Sequence, residues 1–516
     1  MDDNRLPVIV AVGEAVGDRG RDPDRAREPS ALLDDALAAV REDLDATDPD
    51  AFLAALDAVY AVRTTSWAYA SMAGRVADRL GAAPGHRVDT TVGGHWPVRL
   101  LEEAAARIAA GEDRGAVLVG AEAQAALGAL QRAGRDPIAD AGWSADPGGP
   151  PAFDPDDLGS PGMQASGLFL PTRVYPSVHL AWMADRGLDP ATAGHRSAAL
   201  YAAFTELAAD HPIAWNRTRR SAEDVATVGA GNRMVCEPYP LAVNAMPHVD
   251  QAAAVVLTSA AVARVAGIPE DRWVHVHGGA GATDPNDVLA RRRLGEADGL
   301  RLALDRTLDR TGWGADDLDV VDVYSCFPIV PELVREHLGL GSDHVPSVTG
   351  GHAAFGGPLS SYSLHAVAAV TRRLRGTGGR ALVHGNGGYL THHHAVVLAA
   401  AAHVDGYVGD PVPTAVTHDA PTWRPATEVA TAEGTPVTIE AWTVEHAKQG
   451  GPAQAFVVAR TADGARTAAA TAPGDTTTAA ALSLNCLPAG ATTHVGRTVH
   501  LVHRDGQAVV DPGASP

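Results

Sequence analysis

Thr349-Gly350-Gly351-His352-Ala353-Ala354-Phe355-Gly356-Gly357-Pro358-Leu359-Ser360-Ser361-Tyr362 is the stretch that decides the fold of this 516-residue chain. Two glycine pairs and a proline make it a loop governed by its backbone, because glycine tolerates the positive φ angles that sharp turns require. Directly after it, Leu364, Val367, Val370 and Leu374 recur at helical spacing and predict a helix over 363–375. A glycine-rich loop that feeds a helix presents free N–H groups and the positive end of the helix dipole, a setting that favours polar or anionic ligands.

The same phrase occurs earlier. Thr91-Val92-Gly93-Gly94-His95-Trp96-Pro97 leads into a predicted helix over 98–110, a polar turn over 111–115 and a buried strand over 116–119. In the second copy the helix runs out in Arg375-Gly376-Thr377-Gly378-Gly379, and a strand follows over 381–383. Two copies of loop, helix, turn and strand, far apart in one chain, point to a duplicated α/β half. The bland alternative is two ordinary strand-to-helix turns in an α/β protein.

Hydrophobic residues make up 46% of the chain, ample for large cores, and the length allows roughly three domains. A net charge of −21 argues against nucleic-acid and anionic-membrane partners, whose phosphates need basic surfaces. One phosphorylated ligand in a local basic pocket stays compatible with it. Cys236, Cys326 and Cys486 lie far apart with no Cys-x-x-Cys pair, which fits a reducing cytoplasm rather than a disulfide framework or a zinc site. The acidic N-terminus lacks a signal-peptide apolar region, and no apolar run approaches the roughly 20 residues that span a bilayer. The expectation is a soluble cytoplasmic protein without membrane insertion.

Along the chain, residues 7–12 read as a buried parallel strand and 29–44 as a helix, with Ser30 its N-cap and Leu32, Leu33, Leu37, Val40 and Leu44 its apolar stripe. A strand over 56–62, a helix over 72–80 and a strand over 86–92 deliver the chain to the first Gly-Gly-His loop. This alternation predicts a mostly parallel, covered sheet. Between 124 and 174 the pattern dissolves into Gly, Pro, Asp and Ala, as in a functional loop or excursion. Helical segments over 175–186 and 190–209 follow, then a basic cluster holding Arg217, Arg219 and Arg220. Strands over 252–257, 273–276 and 318–324 and helices over 296–311 and 331–338 resume the α/β pattern. After about residue 403 the chain is rich in Thr, Val, Gly and Pro, with short alternating runs over 437–443, 455–460 and 498–503, which predict a separate small all-β unit.

At this point the residues resemble the thiolase superfamily. Gly350-Gly351 … Gly356-Gly357-Pro358 is similar to the thiolase Gly-Gly-x-x-x-x-Gly-His-Pro motif. Asp322-Val323-Tyr324-Ser325-Cys326-Phe327 stands at the Asn-Glu-Ala-Phe or His-Asp-Cys-Phe motif, and Gly385-Asn386-Gly387-Gly388 at the Cys-x-Gly motif. Thr91 to Pro97 stands at the nucleophile loop, and Asp250-Gln251-Ala252-Ala253-Ala254 resembles the end of the family's first half. These motifs span residues 5–400 in the family's order, and the β-rich tail most resembles type-1 thiolase-like proteins, often labelled acetyl-CoA acetyltransferases. The resemblance implies duplicated αβαβα halves packed face to face, with a helical loop insertion and a small C-terminal all-β, OB-like domain. The corresponding divisions are 1–260, with the loop domain over 124–235, then 261–403 and 404–516. It also implies acyl-CoA as ligand, no tightly bound cofactor, and a place in lipid metabolism.

Thiolases attack a thioester with a cysteine at a helix N-terminus, where the dipole lowers the thiol pKa. The matching position here is Gly93, or Gly94 if the alignment slips by one. The activating histidine falls on Gly357 and the acid/base cysteine on Gly385. Glycine has no side chain to do this work, so covalent thiolase chemistry is not expected. Tyr324 replaces the residue that helps bind the thioester oxygen, and a phenol can donate a hydrogen bond or act as an acid. His95, His352 and Tyr389, with Gly350, Gly351, Gly356, Pro358 and Gly387, are the candidate substrate-binding residues; His384 is a further candidate. The plainer role for the histidines is a satisfied place in the core. Cys326 reads as core packing. Three consecutive histidines, His392 to His394, alternate faces on a strand, and no metal is expected. Arg217, Arg219 and Arg220 suit CoA phosphates, or form a solvated surface.

The expected function is therefore that of an acyl-CoA-binding protein, an acyltransferase by resemblance, whose catalytic Cys, His and Cys positions are glycine. One alternative is a retro-aldol lyase acting on a β-hydroxyacyl-CoA through Tyr324, similar to thiolase-like aldol lyases that work with an OB-fold partner. Another is a non-catalytic scaffold. A tail that binds single-stranded nucleic acid is disfavoured by the acidic balance and its few aromatics. Monomer and homodimer both stay open.

Overall fold

The computed structural model describes residues 2–145, 148–149 and 151–513. Its centre is one large mixed sheet, in the order His86–Asp89, Ala58–Ala61, Gly115–Ala123, Asp250–Ser259, Pro7–Val16, Val274–Thr283, His392–Ala399, Arg380–Gly387 and Val320–Val323. Pro7–Val16 pairs with Asp250–Ser259 over most of its length but with Val274–Thr283 only through Val8 and Ile9. That short pairing is the seam between two half-sheets.

The halves repeat each other. In the first, Ala58–Ala61 runs parallel to Gly115–Ala123, which pairs antiparallel with Asp250–Ser259 and through it with Pro7–Val16. In the second, Val320–Val323 runs parallel to Arg380–Gly387, followed by His392–Ala399 and Val274–Thr283, again antiparallel. The expected duplication is thus present, but the sheet is mixed rather than mostly parallel. His392–Ala399 turns straight back on Arg380–Gly387, and a strand covered on both faces shows the same apolar run in either direction.

The two glycine-rich loops feed Trp96–Ala110 and Tyr362–Thr377, and these helices form the middle layer. Val98, Leu101 and Ala105 of the first share one apolar core with Leu364, Val367 and Val370 of the second and with both half-sheets. Pro29–Asp43 and Met72–Leu80 cover the outer face of the first half. Ser30 is not the N-cap of its helix: Glu28 is, and Pro29 takes the first helical position, where a missing N–H costs nothing.

The stretch read as dissolved is largely helical. Gln124–Arg132, Pro137–Ala141, Pro161–Ala165 and Pro171–Asp185 lie within or across it. Asp136 and Ser160 cap helices that open on proline, so these prolines start helices rather than break them. Pro190–Asp210 completes the helical insertion.

The tail forms a second, antiparallel sheet in the order Arg466–Ala470, Pro452–Arg460, Thr435–His446, Thr498–Arg504 and Gln507–Asp511. Arg466–Ala470 and Gln507–Asp511 lie outside the three predicted runs. Asp410–Ala415 joins the large sheet, alongside Val274–Thr283. In return Cys236, at the end of the short strand Met234–Cys236, pairs with Glu445 in the tail sheet. Among the described residues no helix is long and apolar enough to cross a membrane.

Candidate functional site

The site forms where both glycine-rich loops meet the ends of two strands. Tyr324 follows Val320–Val323, and its N–H bonds to the carbonyl of His384 in Arg380–Gly387. The Gly93 N–H donates to Ser360 Oγ at 2.9 Å, which ties the first loop to the second. Gly350 and Gly356 adopt φ values of 102° and 123°, a region closed to most side chains. Between them Gly351–Phe355 makes one π-helical turn rather than an open loop. Ser361 and Tyr362, at the start of the helix, are buried, so that N-terminus is packed inside the protein and is not the open ligand seat expected.

His352, in the π-helical turn, stacks on Tyr362 with ring centroids 3.6 Å apart and meets the Tyr324 ring edge-on at 4.1 Å. The Tyr324 hydroxyl donates to the Leu359 carbonyl at 3.1 Å. Ser325 Oγ lies 3.4 Å from His352 Nδ1. These rings are almost wholly buried. Burial, with Cys326 and Tyr362 close by, pushes the Tyr324 phenol well above its usual range, and burial holds His352 well below its own. A neutral phenol and a neutral imidazole therefore face each other at pH 7.

Of the positions assigned to the thiolase catalytic groups, Gly93 and Gly94 are blocked by neighbouring side chains and Gly385 is tight. A Cβ on Gly94 would stand less than 3.0 Å from the Tyr324 ring carbons and hydroxyl oxygen, and one on Gly93 as close to the His95 ring. A Cβ on Gly385 would meet His95 Cα at 3.0 Å, and one on Gly387 would run into His95 Nδ1. Only Gly357 has ordinary surroundings, with Met246 O the nearest atom at 3.4 Å. His95 is thus wedged between Gly93 and Gly387, and it stacks on His392 at 4.6 Å. Burial, then the neighbouring His392 and Arg99, keep it well below its normal pKa.

The structure packs Gly93, Gly94, His95, Gly385 and Gly387 together, with Tyr324 against Gly94 and His352 against Tyr324 and Gly357, whereas Gly350 backs on Phe204 and Ala208 and Gly356 on Gln251. Tyr389 points away and donates to the Phe169 carbonyl. Arg217 donates to the Ala209 carbonyl, and Arg219 is held by Glu206 and Asp210. No hydrogen bond joins the described Arg217, Arg219 or Arg220 side chains to Tyr324 or His352. Cys326 is buried against Asn386 and Tyr175, and burial pushes its thiol up to about 12, far from a thiolate. The three histidines separate as strand geometry requires: His393 turns to His384, at 3.2 Å, while His392 pairs with Asp157 at 2.8 Å.

Three participants escaped sequence reasoning. Tyr362 closes the stack over His352 and bonds Thr349 Oγ1 at 2.7 Å. Asp322 accepts from Ser347 Oγ and the Val348 N–H, and burial pushes its carboxyl up to about 7. Tyr175 donates to the Gly388 carbonyl and receives Asn386 Nδ2. Tyr175 reads as a helix residue and Tyr362 as the end of the glycine-rich stretch, and nothing in the sequence marks the partner that either reaches. Among the described residues, none of the three larger clefts is lined by Gly94, Tyr324, His352 or Gly385.

A doubled α/β core with two glycine-rich loops meeting at a helical middle layer is the fold of the thiolase superfamily. Within it the chain resembles the type-1 thiolase-like proteins, since residues 411–507 match the thiolase-like protein type 1 additional C-terminal domain. Over 99% of both chains the structure is similar to that of a monomeric SCP2-thiolase like protein type 1 from Mycobacterium smegmatis, with 26% identity and a TM-score of 0.78. The dimeric peroxisomal thiolase of Saccharomyces cerevisiae is similar over 77% of this chain and 98% of its own, with 15% identity and a TM-score of 0.55. An Ltp2–ChsH2(DUF35) aldolase chain is similar over 77% of this chain and 98% of its own, with 16% identity and a TM-score of 0.57. Among curated proteins no match to the sequence is found.

Proposed function

We propose that this thiolase-fold chain performs no covalent acyl transfer and works by binding, with acyl-CoA the ligand class its fold supports. The observation that carries this reading is the filled site. Tyr324 occupies the volume that a side chain on Gly94 would need, and His95 does the same against Gly93 and Gly387. A thioester brought here meets no thiolate and only weak bases, because burial keeps the proton on the Tyr324 phenol and holds both neutral imidazoles well below their ordinary pKa.

The retro-aldol reading through Tyr324 draws less support. Its proton is given to the Leu359 carbonyl, and burial opposes the phenolate that a base would have to be. The likeness to an aldolase chain is one of fold.

The test joins turnover and binding on the full chain. Acetoacetyl-CoA with CoA, and acetyl-CoA alone, are expected to give no products above the uncatalysed rate. Calorimetric titration with CoA, a short acyl-CoA and a long one is expected to show saturable binding. Turnover overturns the binding-only reading. Silence with all three ligands removes acyl-CoA and leaves a scaffold.

A further inference from the structure

A cleft of about 600 Å³ opens between the helices Pro171–Asp185, Pro190–Asp210 and Ile329–Leu338, away from Tyr324. Its size is in the range of small-molecule sites, and its walls are mainly apolar, with Leu188, Leu200, Leu340 and Val345 among them. Three guanidinium groups, of Arg186, Arg196 and Arg335, line it with the single carboxylate of Glu336.

The charges do not balance inside the protein. Glu336 is fully used: Arg186 grips both its oxygens at 2.7–2.9 Å, and the Trp182 indole donates to it at 2.9 Å. Arg196 is held on one side by Glu332, from below the cleft, at 2.7 Å. Arg335 has no acid partner among the described residues. One of its amino groups donates to the Gly341 carbonyl at 3.0 Å, and its Nε is buried without any partner although the residue is only 8% exposed. A buried guanidinium with unspent donors beside an apolar wall is costly unless an anion completes it.

We propose that this cleft binds a small amphipathic carboxylate, its apolar body on Leu200, Leu340 and Val345 and its charge on Arg335 and the outer face of Arg196. The excess of one positive charge matches a monoanion, and the planar fork of arginine matches a carboxylate. The site is separate from the thiolase-like centre, so it stands whether or not acyl-CoA binds there.

The probe is sodium octanoate, titrated calorimetrically into the full chain beside 1-octanol, which has the same apolar body and no charge. Octanoate is expected to saturate and to bind about tenfold or more tighter than octanol. Arg335→Gln is expected to weaken octanoate about tenfold. Ala199→Phe, at an exposed wall position, fills the cleft without touching the core and is expected to abolish binding even if Arg335→Gln fails to fold. Equal binding of octanol, no saturation by octanoate, or full octanoate binding by Ala199→Phe would each overturn the proposal.

Discussion

The Tyr324 ring lies where a side chain on Gly94 would have to stand, less than 3.0 Å from the place of its Cβ. Restoring a cysteine at the head of Trp96–Ala110 therefore cannot by itself restore a nucleophile. Gly94→Ala is expected to destabilise the protein by about 1–3 kcal/mol, the usual cost of overpacking a closed core. In a Tyr324→Ala background the same change is expected to cost almost nothing, because the two groups compete for one volume. The measurement is a double-mutant cycle of unfolding midpoints, and additive effects would show that the two side chains do not meet.

Glu14 and His365 join the two halves of the duplicated core. Glu14 belongs to Pro7–Val16 and His365 to Tyr362–Thr377; both side chains are wholly buried and lie 2.6 Å apart, with Arg372 also on the carboxylate. Burial alone would raise the Glu14 pKa, but the hydrogen bond and charge of His365, with Arg372 and His211, hold it down to about 2. A depressed carboxylate contributes stability above its unfolded pKa and loses it as pH falls through the folded value. Glu14→Gln is expected to cost about 3 kcal/mol at pH 7. The gap from the parent protein should narrow as pH falls from about 4.5 towards 2. Denaturant midpoints at pH 7 and pH 3 measure it, and a gap of constant size contradicts the assignment.

Arg466 fastens the tail sheet to the core. It is 1% exposed, and it donates to the carbonyls of Leu289, Arg291 and Arg292 while its Nε meets Glu440 at 2.7 Å. Arg466→Met keeps the apolar stem but strands these acceptors, each worth about 1–3 kcal/mol when left buried and unpaired. Amide exchange in Pro452–Arg460 is expected to accelerate, while exchange in Pro7–Val16 stays unchanged. Uniform acceleration in both strands would mean that Arg466 holds the whole fold rather than the docking of one sheet.

Much of this architecture was legible in the chain because the signals were local. Leu364, Val367, Val370 and Leu374 announce their helix by spacing, and the glycines of the second loop announce the positive φ that Gly350, Gly351 and Gly356 take. Strand direction was not legible, since Arg380–Gly387 and His392–Ala399 carry the same apolar run whether they pair parallel or antiparallel. Prolines 137, 161 and 171 looked like breakers because a first helical position is recognised only with its cap and the turn that follows. At the site, glycine at 93 or 94, 357 and 385 showed which chemistry was missing. What fills the space was invisible, because His95 and Tyr324 reach it from residues remote in sequence from several of those glycines. Tyr362, Tyr175 and Asp322 matter through partners that only the folded chain supplies.

His384 and His393 form a buried imidazole pair, 3.2 Å apart between ring nitrogens and both almost inaccessible to solvent. Burial pushes His384 down to about 3 and His393 well below its ordinary value. A histidine with a depressed folded pKa is neutral in the native protein, whereas the unfolded chain takes up a proton below about 6.5. Unfolding then binds protons, and stability falls as pH falls through that window. Glu102, Glu122 and Asp322 act in the opposite sense: burial pushes each up to about 7, so the native state holds protons that the unfolded chain releases. The overall stability curve mixes both trends, and a substitution separates them. His384→Leu keeps a buried side chain of similar bulk without a titrating group. Relative to the parent, its stability is expected to be constant above about pH 6.5 and to gain about 1.4 kcal/mol for each pH unit below it. Unfolding midpoints between pH 7.5 and 5 measure the difference, and a flat difference across that range would show that His384 takes its proton inside the fold.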